Sequence, residues 1–336
     1  MNFNPEILNI ALKKNLVLLL LALTIAPVVQ SQPLRKITFV PHWIPQAQFA
    51  GFYVAKDLGI YEKHGIDLTL ITGGPKVSTA SLLESGKVDF ALLWLSNAIQ
   101  LKAKKFDLVN IAQLLTRSAL MLISKKSSGI KTPQDMNGKK VGIWGGDFQI
   151  QPMAFFKEYN LKVTPIMQGN SINLFFFDGI DVTSAMWYNE YHTIINSGFN
   201  PDELNTFFFS DYGLNFPEEG IYCSKEFYEA NPEICKQFVA ATLEGWKYAF
   251  EHPEEAITIM LKHINEAKLP INKTHQRWML AKMKDLIFPA NKMDNFEKLP
   301  KDNYLLVANK LREGEFINEI PEYDSLYKPV IIRQVK

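Results

Sequence analysis

From Ile37 onward, short β-type runs alternate with helical ones at the spacing of βαβ units, and this rhythm limits the chain to an α/β architecture built on mostly parallel sheets. Ile37-Thr38-Phe39-Val40 reads as a strand and residues 49–58 as a helix stopped by Gly59. Residues 65–71 alternate apolar and polar, as a half-buried strand does. Residues 76–85 form a helix pattern ending at Gly86, residues 88–93 a buried strand, and residues 97–104 a further helix. A second series follows Arg117. It has a short capped helix over 132–138, a strand from Lys140 to Trp144 running into Gly145-Gly146, a helix over 151–159 and a strand over 180–186. This set ends near Pro217. The pattern then turns helical, with Pro232 and Pro253 each in a first turn, where proline's missing N–H costs nothing. A helix is expected over 303–311 and irregular chain after it.

The 336 residues suffice for two domains of ordinary size. Lys plus Arg number 36 against 35 acids, which leaves no electrostatic footprint for nucleic acid. The first segment is of another kind. Lys13-Lys14 precede an apolar core from Leu16 to Ala26, and small residues follow at Val29-Gln30-Ser31. That is the pattern of a secretory signal cleaved near Ser31. The apolar run is shorter than the roughly 20 residues a membrane-spanning helix needs. The alternative is an N-terminal anchor. Two cysteines, Cys223 and Cys235, fit two buried thiols, or a bridge in an oxidising compartment.

Catalytic signatures are missing. Six histidines are scattered without zinc spacing. There is neither a Gly-x-Ser-x-Gly elbow nor a phosphate-binding glycine loop ending in Lys-Ser or Lys-Thr. The loops at strand carboxyl ends, where open α/β sheets bind ligands, are richer. Trp43 follows the first strand. Trp94-Leu95-Ser96-Asn97 follows another, Gly145-Gly146-Asp147-Phe148 a third, and Trp187-Tyr188-Asn189-Glu190 a fourth. Two belong to each series, so a cleft would draw walls from both.

Four blocks carry a resemblance: Phe39 to Asp67, Gly86-Lys87-Val88-Asp89-Phe90, Gly138-Lys139-Lys140-Val141-Gly142, and Asp181 to Tyr191. In order and spacing they resemble the substrate-binding family that includes periplasmic binders of thiamin pyrimidine precursors and the eukaryotic enzymes that synthesise that pyrimidine. The resemblance implies a two-lobe periplasmic-binding-protein fold of type II with two interlobe crossings. Residues 1–31 would be the signal, 32–121 the first part of lobe 1, 122–220 lobe 2, and 221–336 the return to lobe 1. It implies a monomeric periplasmic solute binder that serves an ABC permease and ATPase, with a small-molecule ligand and no cofactor or metal. The synthases carry a cofactor-binding lysine and a histidine where this chain has Leu93 and Asn97, and a cysteine cluster where it has Phe216-Pro217-Glu218-Glu219-Gly220. Leucine forms no Schiff base, so a non-catalytic binder is expected.

Within this family reading, Trp43 would stack on a flat heterocycle, or else pack in the core. Gln46 and Gln48 can donate and accept to ring nitrogens or amides. Across Gln46 to Phe49 the relatives often show Asn and His, where this chain has Gln and Phe. Trp187 or Tyr188 would complete a sandwich with Trp43. Glu190 would accept paired hydrogen bonds from an amino group and a ring N–H, with Asn189 beside it. The other reading makes Asn189 a helix cap and Glu190 a first-turn acid. Gly146 and Asp147 form either an anion-cradling turn or a capped one. Ser96 and Asn97 complete the candidates. Arg117 would suit an anionic ligand, as in sulfonate, nitrate or aromatic-acid binders of similar fold, or would pin the crossover between lobes.

Overall fold

In the computed structural model, which describes residues 33–289 and 298–330, the strands sort into two five-stranded sheets. The first contains β1 (Arg35–Val40), β2 (Ile66–Leu70), β3 (Phe90–Trp94), β4 (Leu108–Gln113) and β10 (Glu219–Ser224), in the order β2-β1-β3-β10-β4. The second contains β5 (Leu120–Lys125), β6 (Lys140–Ile143), β7 (Thr164–Met167), β8 (Val182–Met186) and β9 (Leu204–Phe208), in the order β7-β6-β8-β5-β9. In each sheet one strand runs against the others: β10 is antiparallel to β3 and β4, and β5 is antiparallel to β8 and β9. Each of these two strands is the first after the chain changes sheet. The fold is therefore two α/β lobes with two crossings, over residues 114–119 and 209–218. The expected divides at 121/122 and 220/221 fall inside β5 and β10, because each strand starts its new sheet with its first residue. The expected signal segment, 1–31, lies outside the described residues. Among the described residues no helix is long and apolar enough to cross a membrane.

Burial follows position in the sheet. β3, β4 and β8 are buried throughout; β3 and β8 read as unbroken apolar or small runs, as strands covered on both faces do, while β4 buries Asn110 and Gln113, whose Nδ2 and Oε1 hydrogen-bond at 3.0 Å. The edge strand β2 alternates buried and exposed. The other lobe's edge, β7, tolerates Pro165 because one side of an edge strand makes no ladder bonds. The open edge of β4 is covered by the C-terminal segment: Lys328 and Val330 N–H groups donate to the Asn110 and Ile111 carbonyls at 2.9 and 3.0 Å.

Helix Pro232–Glu251 returns to the first lobe and lies on helix Ala50–Asp57. Glycine on each partner permits the close approach: a Cβ at Gly245 would sit 2.2 Å from the Gly51 carbonyl oxygen, and one at Gly51 would sit 2.3 Å from the Trp246 ring. Several expected elements differ at their ends. The helix expected over 76–85 is Thr79–Glu84, capped by Ser78 Oγ accepting from Ser81 N–H at 3.2 Å. The helix expected over 97–104 begins at Leu95, which places Ser96 and Asn97 in its first turn. Residues 303–311 belong to helix Lys301–Glu313, and the chain after it contains a short helix, Tyr323–Leu326. Strands β4, β7 and β9 and helix Lys273–Ile287 have no counterpart in the pattern read from sequence. Asn272 caps that helix, its Oδ1 accepting from His275 N–H at 2.9 Å.

Candidate functional site

A pocket of about 220 Å³ opens between the lobes where the carboxyl ends of β1 and β3 face the turn after β6. His42, Trp43, Leu93, Trp94 and Asn97 line it from the first lobe, Asp147 and Phe148 from the second. Gly74, Pro75, Val77, Ser78, Thr79 and Ala80 form one side of it, and aromatic rings stand in the rest. The Phe148 ring meets Trp94 edge-on at 4.7 Å and Trp144 at 6.0 Å, and His42 stands edge-on to Trp94 at 6.4 Å. Trp43 is half-buried. Its backbone is fixed by Gly73, where a Cβ would stand 2.1 Å from the Pro41 carbonyl and 2.6 Å from that of Trp43.

One turn supplies the second lobe's contribution. Gly146, at φ +64, opens the 3₁₀ turn Gly146–Gln149 in a left-handed conformation that glycine adopts without strain. The turn carries Asp147 and Phe148 to the first lobe. Asp147 Oδ2 accepts from Asn97 Nδ2, and its Oδ1 accepts from Gln100 Nε2 at 2.7 Å. Both carboxylate oxygens are thus held by neutral amides of helix Leu95–Ala103, with no lysine or arginine paired to the group among the described residues. Ser96 is buried, and its carbonyl accepts from Gln100 at 3.2 Å.

The two glutamines form a second interlobe contact. Gln46 Nε2 donates to Gln48 Oε1, and Gln48 Nε2 donates to the Tyr188 hydroxyl at 2.9 Å and to Glu219 Oε1. Neither Gln46, Gln48 nor Tyr188 lines the pocket. Their amides and hydroxyl join lobe 1, lobe 2 and the return strand behind it. Glu218 and Glu219 occupy the end of the second crossing and the start of β10, wholly buried. Glu218 Oε1 accepts from the N–H groups of Ala119 and Leu120 and from Ser118 Oγ, which ties the second crossing to the first. Burial pushes the Glu218 carboxyl up to about 7. Burial, with the Glu218 charge beside it, holds Glu219 well above the ordinary carboxylate range. Burial also pushes His42 down to about 4, so that imidazole is neutral.

The constellation at 187–190 divides. Trp187 packs edge-on to Phe208 at 5.9 Å, with Lys282 Nζ 4.4 Å above its ring, and does not line the pocket. Glu190 turns inward: its Oε2 accepts from Met186 N–H at 3.0 Å and its Oε1 from Asn189 Nδ2 at 2.9 Å. Burial raises it to about 7. Asn189 precedes helix Glu190–Asn196 without capping it through its side chain, and its Oδ1 instead faces His275 Nε2 at 2.8 Å. Of the sequence candidates, the pocket brings together Trp43, Asn97 and Asp147. Arg117 sits over the Phe208 ring and pairs with Asp211 at 3.3 Å, so it ties the two crossings together. Cys223 and Cys235 are buried free thiols.

Sequence reading did not single out His42, Gln100, Glu218 or Glu219. The two glutamates carried a signal: adjacent acids directly before the apolar run Ile221-Tyr222-Cys223 lie where a strand enters the core. His42 had none beyond its place beside Trp43.

Two mixed sheets joined by two crossings, with aromatic loops facing across the cleft, define a solute-binding protein fold of the type II periplasmic class. The aliphatic sulphonate binding protein SsuA of Escherichia coli shares it over 90% of this chain and 94% of its own, with a TM-score of 0.70 at 15% identity. So does the nitrate-binding protein NrtA of Synechocystis, over 88% and 86%, with a TM-score of 0.63 at 12% identity. The chain belongs to the NMT1/THI5-like family, whose profile matches residues 46–256. Among its relatives is a 4-amino-5-hydroxymethyl-2-methylpyrimidine phosphate synthase of Legionella pneumophila, 26% identical over 70% of this chain and 76% of that protein. The riboflavin-binding protein RibY of Chloroflexus aurantiacus is 25% identical over 73% and 72%. The formylaminopyrimidine-binding protein of Halalkalibacterium halodurans is 23% identical over 71% and 74%.

Proposed function

We propose that this protein is the solute-capturing component of an ABC importer and that it binds a single-ring aminopyrimidine related to thiamin. On this reading residues 1–31 direct secretion to the periplasm, and the mature chain works as a monomer beside a permease and an ATPase. The observation that carries the ligand assignment is the pocket itself: aromatic walls from both lobes around one carboxylate, Asp147, that no cation neutralises. A flat π-system suits the walls. An amino group suits Asp147, displacing the Asn97 and Gln100 amides that donate to it. At about 220 Å³ the pocket lies below the roughly 300–1,000 Å³ of sites for drug-sized ligands. That favours one ring over the fused rings of riboflavin. Sulfonates and nitrate would need a cation, and Arg117 is spent on Asp211. Synthase chemistry fits poorly, because Leu93 and Asn97 line the pocket at the positions where the family's enzymes carry lysine and histidine.

A thermal-shift screen tests this. A ligand at about 100 times its Kd stabilises the fold by roughly 2.7 kcal/mol, several degrees in Tm for a chain of this size. 4-Amino-5-hydroxymethyl-2-methylpyrimidine and formylaminopyrimidine should shift Tm, and riboflavin, alkylsulfonates and nitrate should not. Trp43→Ala and Asp147→Asn should each remove the shift. Stabilisation by sulfonates alone would overturn the assignment.

A further inference from the structure

We propose that His42, positioned by Glu219, is a hydrogen-bond donor to the ligand of this pocket, so that the bound ligand turns a ring nitrogen or carbonyl lone pair toward His42 and an N–H toward Asp147. The proposal rests on the reading that the interlobe pocket is the ligand site, and it names the polar pattern the ligand must present. His42 lines the pocket with its side chain 14% exposed, while its Nδ1 is fully buried and without a hydrogen-bond partner, 3.2 Å from Glu219 Oε1. The accessible part of the imidazole is therefore its Nε2 edge. Phe49 and Trp94 stand edge-on to the ring at 5.6 and 6.4 Å and hold its plane.

The protons around the pair decide what Nε2 offers. Glu219 Oε1 already accepts from Gln48 Nε2, and Glu219 Oε2 is buried without a partner. The charged and titratable groups nearby are Glu218, Tyr188, Glu190 and, across the pocket, Asp147; among the described residues no lysine or arginine pairs with either Glu218 or Glu219. Burial, with Glu218 beside it, favours the protonated form of the Glu219 carboxyl. Placed on Oε1 and pointed at Nδ1, that proton satisfies a buried donor and a buried acceptor together; on Oε2 it satisfies neither. With Nδ1 accepting, a neutral imidazole carries its own proton on Nε2. Loss of the Glu219 proton reverses this: Nδ1–H then donates to the carboxylate, and Nε2 becomes an acceptor. Trp94 Nε1, buried without a partner in the same wall, is a second donor awaiting an acceptor.

A 4-aminopyrimidine presents this pattern along one edge, a ring nitrogen beside an amino group. Its 4-oxo counterpart carries N–H where the amine has a lone pair and repels both His42 Nε2–H and the Asp147 arrangement. The test is calorimetry between pH 6 and 10 with 4-amino-5-hydroxymethyl-2-methylpyrimidine and its 4-oxo analogue. The wild type should prefer the amine and lose affinity as rising pH deprotonates Glu219. His42→Phe should weaken the amine by about tenfold, the worth of one buried hydrogen bond, and flatten the pH profile. Glu219→Gln, a permanently neutral carboxyl, should still bind at the alkaline pH where the wild type has lost affinity. A merely structural Glu219 predicts no such rescue. If neither pyrimidine binds the wild type at any pH, the ligand reading fails and this inference with it. If the amine binds and His42→Phe leaves affinity, preference and pH profile intact, this inference alone is overturned.

Discussion

His192 Nδ1 and His275 Nδ1 face each other at 2.9 Å across the gap between helix Glu190–Asn196 of the second lobe and helix Lys273–Ile287. The latter helix belongs with the first lobe, where Gln276 Oε1 accepts from Ala47 N–H at 2.7 Å. Only one proton fits between the two rings. His275 Nε2 faces an oxygen, Asn189 Oδ1, and donates to it, so neutral His275 accepts at Nδ1, while His192 Nδ1 faces both that nitrogen and Asn196 Nδ2 at 3.1 Å. A second proton would set N–H against N–H.

This contact predicts a pH window. Burial, with the His192 charge, pushes His275 down to about 4, and burial lowers His192. Both bases are neutral in the closed form and ordinary, near 6.5, when the contact is broken. The contact's stabilisation is therefore complete above about pH 6.5 and fades as pH falls toward 4. Ring-proton NMR should show His275 unprotonated at pH 6. A midpoint near 6.5 in the closed protein would refute the arrangement.

Glu218 predicts the opposite slope. An acid held at about 7 by burial binds its proton more tightly in the folded chain than in the unfolded one, whose ordinary value is 4.5. Its contribution is complete below pH 4.5 and is lost as pH rises through 7. At about 1.4 kcal/mol per pKa unit the swing is on the order of 3 kcal/mol. Glu218→Gln keeps an oxygen for the Ala119 and Leu120 N–H groups and should flatten the decline in Tm between pH 5 and 8. An equal decline in the variant would remove Glu218 as its source.

Packing of the return helix gives a third expectation. Any side chain at Gly245 meets backbone, the Gly51 carbonyl at 2.2 Å, and Ala55 Cβ at 2.6 Å. Backbone cannot swing aside as a flexible side chain does. Gly245→Val should cost about 1–3 kcal/mol, with Trp246 emission altered, as overpacked cores do. Urea unfolding with an unchanged midpoint would contradict the close approach.

How much of this was legible beforehand follows from what sequence patterns encode. Strand-helix rhythm is a local signal, so β1, β3, β6 and β8 and the helices between them could be read directly. β4 and β9 were not. They are Leu108–Gln113 and Leu204–Phe208, runs without the alternation or turn residues that mark a strand, and their identity comes from the strands beside them. Trp43, Asn97 and Asp147 were found because loops at strand carboxyl ends line clefts whatever the tertiary detail. That Phe148, rather than Trp187 or Tyr188, shares the pocket with Trp43 depends on which way the second lobe's loops turn. Glu219 reaches His42 from 177 positions away in the chain, across the second crossing, and no local pattern reports such a pair.

The final prediction concerns closure. Contacts between the lobes include Asp147 with Asn97 and Gln100, Gln48 with Tyr188, His275 with His192 and Asn189, Trp278 Nε1 with the Trp187 carbonyl, and Lys310 with Glu158. The Asp147 and His275 contacts lie on separate elements, so their losses should add, as independent sites do. Asp147→Ala removes both amide bonds of the first contact and leaves the others. His275→Ala removes the third. Small-angle scattering should give each single variant a larger radius of gyration than the wild type, and the double variant the largest, as hinges in the two crossings let the lobes part. His275 does not line the pocket. Its variant should therefore weaken ligand binding only through the smaller closed population, by the factor read from scattering. Profiles for both variants superimposing on the wild type would show that these contacts do not set the closing equilibrium.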